Sequence, residues 1–476
     1  MRPLYSLLLA GLLVAPVQAA PADHHPSGLL DIYRLAVTNN AELAAAHAAY
    51  QARSENVPQA RAGLLPQLGL GASNNSSRTT VDTRELGEQT SKRHTYSYQA
   101  SLSQPLFRLD RWYQLKTAQA DSEQAALELS ATEQALILQS AEVYFAILRS
   151  QDNLAASQAE EQAFQRQYEL ARERFNVGLS DKTDVLQAQA AYDTARANRM
   201  QAEQQVADAF QALETLTDHQ LHAVQGIRHE LPVQPPRPND AGAWVDRALA
   251  DNLQLRAMDL ALEAAQQDLR TRKAGHAPTL DAIAQYQKGD NDSLGFANRG
   301  MQGSPTYNHH AEQAVIGLQL NIPLYTGGAT SSRVRQGVHQ LHNAEYSKEG
   351  LRRQTVQNAR NLHRAVNTDV EQVQARKQSI ISSQSAVEAT QIGYEVGTRT
   401  IVDVLDAQRQ LYAAVRNYNN ARYDYILNHL RLQQTAGSLS PDSLKALNEY
   451  LYPDYDPKRD FLPPDLEQAA AENLRR

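Results

Sequence analysis

The chain has no cysteine, and among its 476 residues only 7 are phenylalanine and 2 tryptophan. The first absence excludes disulfide scaffolds, thiolate metal sites and cysteine nucleophiles, and the sequence implies no thioether lipid anchor. The scarcity of large apolar groups, with a mean hydropathy of −0.55, argues against the prior of about three conventional domains that the length alone suggests. A formal net charge of −7 makes bulk nucleic-acid binding a poor expectation. No Ser/His/Asp set, phosphate loop or zinc-helix motif is present, so neither enzyme activity nor a cofactor is expected.

The only long apolar run is at the start. Arg2 precedes a nearly continuous apolar stretch from Leu4 to Val14, and Val17-Gln18-Ala19 supplies small residues at a peptidase site. This pattern predicts a secretory signal over 1–19. The run is about half the ~20 residues of a membrane helix. No later run is long enough either, so a role in a membrane would require a β-barrel.

The rest of the chain is duplicated. Ala36, Asn40 and Leu43 correspond to Ala248, Asn252 and Leu255, and Ala62-Gly63-Leu64-Leu65-Pro66 to Ala274-Gly275-His276-Ala277-Pro278. Later, Pro105-Leu106-Phe107 answers Pro323-Leu324-Tyr325, and Val177-Gly178 with Asp184-Val185-Leu186 answers Val396-Gly397 with Asp403-Val404-Leu405. The expected units are 27–228 and 242–437, joined by a proline-stiffened linker over 229–241.

Within each unit the apolar period is 2 over two segments and then becomes helical. Leu68, Leu70 and Ala72 alternate with small residues, as do Tyr96, Tyr98, Ala100 and Leu102 with polar ones; Leu280 to Tyr286 and Ile316 to Ile322 repeat the pattern. Four strands are expected at about 64–73, 95–106, 277–287 and 313–325, with polar loops from about Asn74 to His94 and Lys288 to His310. Taken alone, such pairs also describe half-buried hairpins of a soluble domain. Their length of about 10 residues and the secretory signal favour a barrel, which four strands cannot close by themselves. The barrel must be shared between chains.

Long helices are expected over 108–176, 183–218, 329–392 and 403–435. From Leu106 to Val177 there is neither Gly nor Pro, enough for roughly 105 Å of helix. The apolar rows are narrow, which also fits a solvated coiled-coil rod. Each long-helix pair is joined by a Val-Gly turn and an Asp-Val-Leu helix start. Thr400 and Asp403 have capping-box spacing, so Asp403 and Asp184 are also candidates for simple helix capping. Asp406 lies one turn beyond Asp403 on the same face.

The turn residues resemble the TolC family of outer-membrane efflux proteins. The resemblance is carried by Gly393-Tyr394-Glu395-Val396-Gly397-Thr398-Arg399-Thr400-Ile401-Val402-Asp403-Val404-Leu405-Asp406-Ala407 and by Arg174-Phe175-Asn176-Val177-Gly178-Leu179 with Thr183-Asp184-Val185. It covers about Leu29 to Leu439. It implies an α+β membrane protein, a homotrimer whose twelve shared strands form an outer-membrane β-barrel continued by a periplasmic α-helical barrel. The implied function is an exit duct for tripartite efflux pumps or type I secretion, working with a periplasmic adaptor and an inner-membrane transporter. By similarity, Tyr394 and Arg399 join Thr183, Asp184 and Gln167 in a gate network. Asp403 and Asp406 form carboxylate rings at the pore entrance, where repulsion raises some pKa values and favours a cation. Val177, Gly178, Leu179, Val396, Gly397 and Thr398 receive the adaptor, and Asp181-Lys182 adds a charge pair that alters its fit.

The tail over 438–476 is polar and proline-broken and is expected to have no core role. His24-His25 and His309-His310 read better as surface histidines than as metal ligands. A periplasmic coiled-coil scaffold without channel activity is the rival function.

Overall fold

The computed structural model describes residues 26–84, 87–290 and 310–460. The expected signal over 1–19, the His24-His25 pair, His309 and the interior of the second polar loop lie outside these residues. The order is α1 (Leu29–Asn39), α2 (Ala41–Ser54), α3 (Asn56–Ala62), β1 (Gln67–Thr83), β2 (Gly87–Phe107), α4 (Leu109–Asn176) and α5 (Lys182–Thr217) in the first unit. After the short strand β3 (Gly226–Ile227), the second unit has α6 (Ala241–Asp251), α7 (Leu253–Ala274), β4 (Thr279–Asp290), β5 (His310–Asn321), α8 (Ala329–Glu395) and α9 (Ile401–Thr435). The chain continues through α10 (Pro441–Asn448), β6 (Leu451–Tyr452) and α11 (Pro457–Asp460).

The period-2 segments form one antiparallel sheet in the order β1-β2-β4-β5. Its register aligns the apolar residues across strands. Leu68 faces Leu102, Leu102 faces Ala284 and Ala284 faces Ile316, so one face of the sheet is continuously apolar. Gly71 opposite Gln99 and Asp281 opposite Gln319 belong to the other, largely polar face. Among the described residues nothing covers the apolar face: Leu70 is 83% exposed, Ile316 89% and Leu318 69%. Burying a side chain of this size is worth roughly 1.5–3 kcal/mol, so this face is made for an apolar surround.

The first polar segment differs from expectation. Residues 74–83 and 87–94 are not a loop but continue β1 and β2, paired from Asn74–Tyr96 to Thr83–Gly87. Ser, Thr and Asn carry no apolar period there, because neither side needs one once the ladder supplies the backbone hydrogen bonds. Ser73 and Thr80 each bond the hydroxyl of their cross-strand neighbour, Ser97 and Thr90.

α4, of 68 residues, spans roughly 100 Å. It folds back through α5 as α8 does through α9, giving two long helical hairpins side by side. The helices approach closely because the buried positions of α5 include Ala188, Ala191, Ala195 and Ala202, which is how a chain poor in aromatics still packs. Ion pairs cross the helix seams, including Arg199–Glu161 at 2.7 Å and Arg416–Glu160 at 2.8 Å.

The main core lies midway along the helices. Tyr144, Phe145 and Leu148 of α4 meet Tyr423, Ile426 and Leu430 of α9, with Leu29 and Ile32 of α1 and Leu213 of α5. The tail contributes to it, contrary to expectation: Leu444 of α10 and Leu451 of β6 are buried there, and β6 pairs with β3. Tyr455 packs its ring against Gly226, where any Cβ would overlap it, and its hydroxyl donates to the Asp152 carboxylate. Tyr423 donates to the other oxygen at 2.6 Å. Asp152 is 2% exposed, and burial pushes its carboxyl up to about 6.

Candidate functional site at the helix turns

The two helix turns are built alike. The amide of Val177 bonds the Glu173 carbonyl and that of Val396 the Ile392 carbonyl, closing α4 and α8. The next residues, Gly178 and Gly397, have φ of +76° and +79°, and the amides of Leu179 and Thr398 reach back to the carbonyls of Arg174 and Gly393. This is the Schellman pattern, and it requires the left-handed residue that glycine supplies without strain. Val177, Leu179 and Val396 are 70%, 74% and 70% exposed. Gly178, Gly397 and Thr398 are exposed beside them, so both turns present apolar tips to solvent.

The helix starts differ. In the second turn Thr400 and Asp403 form the expected capping box: the Thr400 amide and hydroxyl donate to Asp403 Oδ2 at 2.8 and 2.9 Å, and the Asp403 amide donates to Thr400 Oγ1 at 3.3 Å. In the first turn the cap is Asp181, which accepts from the Asp184 amide at 3.1 Å. Asp184 is therefore not a cap; it accepts from the Ser180 hydroxyl at 2.8 Å. Thr183 is exposed next to it.

Behind the turns lies a small core of Phe164, Ala171, Ala188, Tyr394, Ile401, Val404 and Leu405. Tyr394 is only 7% exposed, and the Arg174 guanidinium sits 4.8 Å from its ring centre. A contact of this kind is worth about 0.5–2 kcal/mol. It ties the end of α4 to the end of α8. Gln167 is also buried and donates to Gln391 Oε1 at 3.3 Å, while Gln391 donates to Glu395 at 3.3 Å. Arg399 is exposed, with its aliphatic stem over Gly393. The protomer thus brings Gln167 and Tyr394 into contacts between the two hairpins. Among the described residues, no hydrogen bond or ion pair within the protomer joins Arg399 to Thr183 or Asp184.

Gln167 Oε1 and Gln408 Oε1 are buried without a hydrogen-bond partner among the described residues. Both residues line a groove of about 500 Å³ with Glu388, Gln391 and Ile392. An orphaned buried carbonyl costs about 1–3 kcal/mol, so such a groove is suited to a covering chain.

The two aspartates expected at the entrance, Asp403 and Asp406, are not equivalent. The Thr400 amide, and then its hydroxyl, hold the Asp403 carboxyl below the usual range. Within the protomer the capping box thus acts opposite to the upward shift expected from ring repulsion. Asp406 pairs with Arg409 at 2.6 Å, so part of its charge is compensated. Neither Arg174 nor Gln391 nor Arg409 stood out as a site residue in the sequence. Of the three, Arg409 carries a readable signal in its i+3 spacing from Asp406, and Arg174 stands at the head of the first-turn motif.

A sheet with one apolar face and, among the described residues, two unpaired edges, borne on long helical hairpins, defines an outer-membrane channel protomer. The model of the outer membrane efflux protein family matches residues 32–219 and 244–438, and the chain belongs to this family. The chain is 35% identical over 420 residues to the outer membrane protein TolC of Vibrio cholerae serotype O1, covering 88% of this chain and 93% of that one. It is 28% identical over 428 residues to the alkaline protease secretion protein AprF of Pseudomonas aeruginosa, covering 89% and 87%. Its fold matches the crystal structure of the outer membrane protein VceC from Vibrio cholerae with a TM-score of 0.70 at 18% identity, over 86% of this chain and 96% of that one. The resemblance read from the turn motifs is borne out. The protein is an outer-membrane channel protein with a large periplasmic part. No helix among the described residues is long and apolar enough to cross a membrane.

Proposed function

We propose that three copies close a twelve-stranded barrel in the outer membrane and a helical tunnel beneath it, forming the exit duct of tripartite efflux and type I secretion systems. The observation that carries this reading is the open sheet: among the described residues β1 and β5 have a free edge each, and hydrocarbon does not tolerate free edges. The polar sheet face then lines a wet channel. The chain has no energy-coupling site in its sequence motifs, so transport is powered by an inner-membrane transporter. A periplasmic adaptor docks on the exposed tips Val177, Gly178, Leu179, Val396, Gly397 and Thr398.

Tyr394, Arg174, Gln167 and Gln391 hold the two hairpins of a protomer together at the tip. Arg399 of one hairpin and Thr183 and Asp184 of another complete the closed gate across the assembly. Asp403 and Asp406, each repeated three times, surround the entrance and select cations. The low pKa of Asp403 keeps its ring charged at neutral pH, while Arg409 moderates the Asp406 ring. Replacing Asp403 and Asp406 by Ala is expected to abolish block of bilayer conductance by trivalent cations. Persistence of that block in the double variant would place the cation site elsewhere.

A further inference from the structure

Each unit passes from strand to long helix at a rim that bears one exposed aromatic and, about two turns into the helix, one exposed cation. In the first unit these are Phe107, 44% exposed, and Lys116; in the second they are Tyr325, 88% exposed, and Arg335. The pairs correspond. Phe107 and Tyr325 both close a Pro-Leu-aromatic motif, and the C-caps Val177 and Val396 set an offset of 219 residues between α4 and α8, which takes position 116 to 335. We propose that each pair binds one acidic phospholipid of the periplasmic leaflet, with an acyl chain on the aromatic ring and the headgroup phosphate on the cation. The proposal rests on the membrane-barrel reading above and assigns the lipid that its lower rim selects.

Phe107 reaches the lipid side through a bulge. Across β2 and β4, Leu102 faces Ala284 and Gln104 faces Ala282, but the next residue of that apolar row, Leu280, is opposite Phe107 and not Leu106. The inserted residue turns the Phe107 ring onto the apolar face of the sheet where the strand hands over to α4. Lys116 lies roughly ten helical turns before Asp152, so it shares the face of α4 on which Tyr455 and the tail pack. That face is the outer one, because three tails on the inner side would fill the tunnel.

The cations lie at headgroup depth. Side chains on a helix lean toward its N-terminus, here toward the membrane, and the Lys116 ammonium is 5.7 Å from the centre of the Trp112 ring, one turn nearer the barrel. Trp112 is 50% exposed and lies roughly 5 Å below the start of α4, within a headgroup layer about 5–8 Å deep. Acids do not offset these cations. Arg108 takes both Asp110 at 3.0 Å and Asp281 at 3.4 Å, while Lys116 bonds the neutral Gln119 at 3.2 Å. Arg335 has no ion pair among the described residues, and no carboxylate occurs in the sequence between Asn321 and Glu345. An apolar ring above an uncompensated cation matches a lipid whose apolar and charged parts come in that order.

The chain has two tryptophans, and only one is at the rim. Trp244 is 4% exposed and belongs to α6, which packs on Ala359, roughly 45 Å down α8, so quenching from within a bilayer reports Trp112. Full-length protein is reconstituted in vesicles of fixed phosphatidylethanolamine and phosphatidylglycerol content, with bromine near the top of the acyl chains of one lipid or the other. Wild type is expected to be quenched by both and, relative to bilayer content, to prefer phosphatidylglycerol by about fivefold per site, as one cation at a membrane surface provides. Lys116→Gln with Arg335→Gln is expected to stay quenched but to lose the preference, and Lys116→Arg with Arg335→Lys to keep it. Equal quenching by the two lipids in wild type, quenching by neither, or a preference that survives the double Gln variant overturns the proposal. Loss of the preference on adding inorganic phosphate at constant ionic strength assigns the cations to free anions and overturns it as well. Protein that fails to float with the vesicles overturns the membrane-barrel reading instead.

Discussion

Changing Tyr394 and Arg399 together to alanine is expected to raise single-channel conductance several-fold in a planar bilayer. Tyr394 is the largest buried group behind the second turn, and its ring is held between the Ile401–Leu405 start of α9 and the Arg174 guanidinium. Removing a buried aromatic ring costs about 3–5 kcal/mol. Loss of Arg399 also uncovers Gly393 and deletes the cation proposed to reach a neighbouring hairpin. Both changes act on the closed arrangement and not on the barrel, so insertion is expected to be normal. Tyr394→Phe keeps the ring and should keep conductance low. Unchanged conductance in the double variant would exclude these residues from the gate.

The second large effect concerns Asp152, far from the turns. Burial is the dominant cause of its raised pKa, opposed by the hydroxyls of Tyr423 and Tyr455 and by Arg422. Those groups come from α9 and from the segment after β6; His229, beside β3, accepts from Arg422 at 2.9 Å. With a folded value of about 6 against 3.8 for the free group, the folded protein binds the proton more tightly. The contribution to stability is therefore fully present below pH ~4 and is lost as pH rises through about 6, an amount on the order of 3 kcal/mol. Asp152→Asn removes the titration while keeping one acceptor. Thermal unfolding in detergent should find this variant more stable than the wild type at pH 8, with the difference shrinking toward pH 4. A difference that does not change with pH would show that Asp152 does not titrate in this range.

Much of this architecture is legible in the sequence because repetition and period are long-range signals. The Val-Gly turns, the Thr400–Asp403 box and the alternation from Leu68 to Ala72 each follow from local geometry. What escapes is what local geometry does not encode. Residues 74–94 read as loop because β-structure beyond the apolar belt has no side-chain period, only a ladder. The tail reads as idle because Tyr455 is separated from Asp152 by 303 positions, and the notch at Gly226 that admits its ring gives no pattern in sequence. At the site, Gln167 and Tyr394 can be placed by motif, but the contact of Arg174 with the Tyr394 ring and the bond from Gln167 to Gln391 appear only when two hairpins are laid side by side.

The account depends most on the strands forming a membrane pore, and a planar bilayer tests this most directly. Full-length wild-type protein, extracted from outer membranes with detergent, is expected to give discrete, cation-selective conductance steps. Recovery in the aqueous periplasmic extract without detergent, together with a silent bilayer, would contradict the channel and favour a helical scaffold.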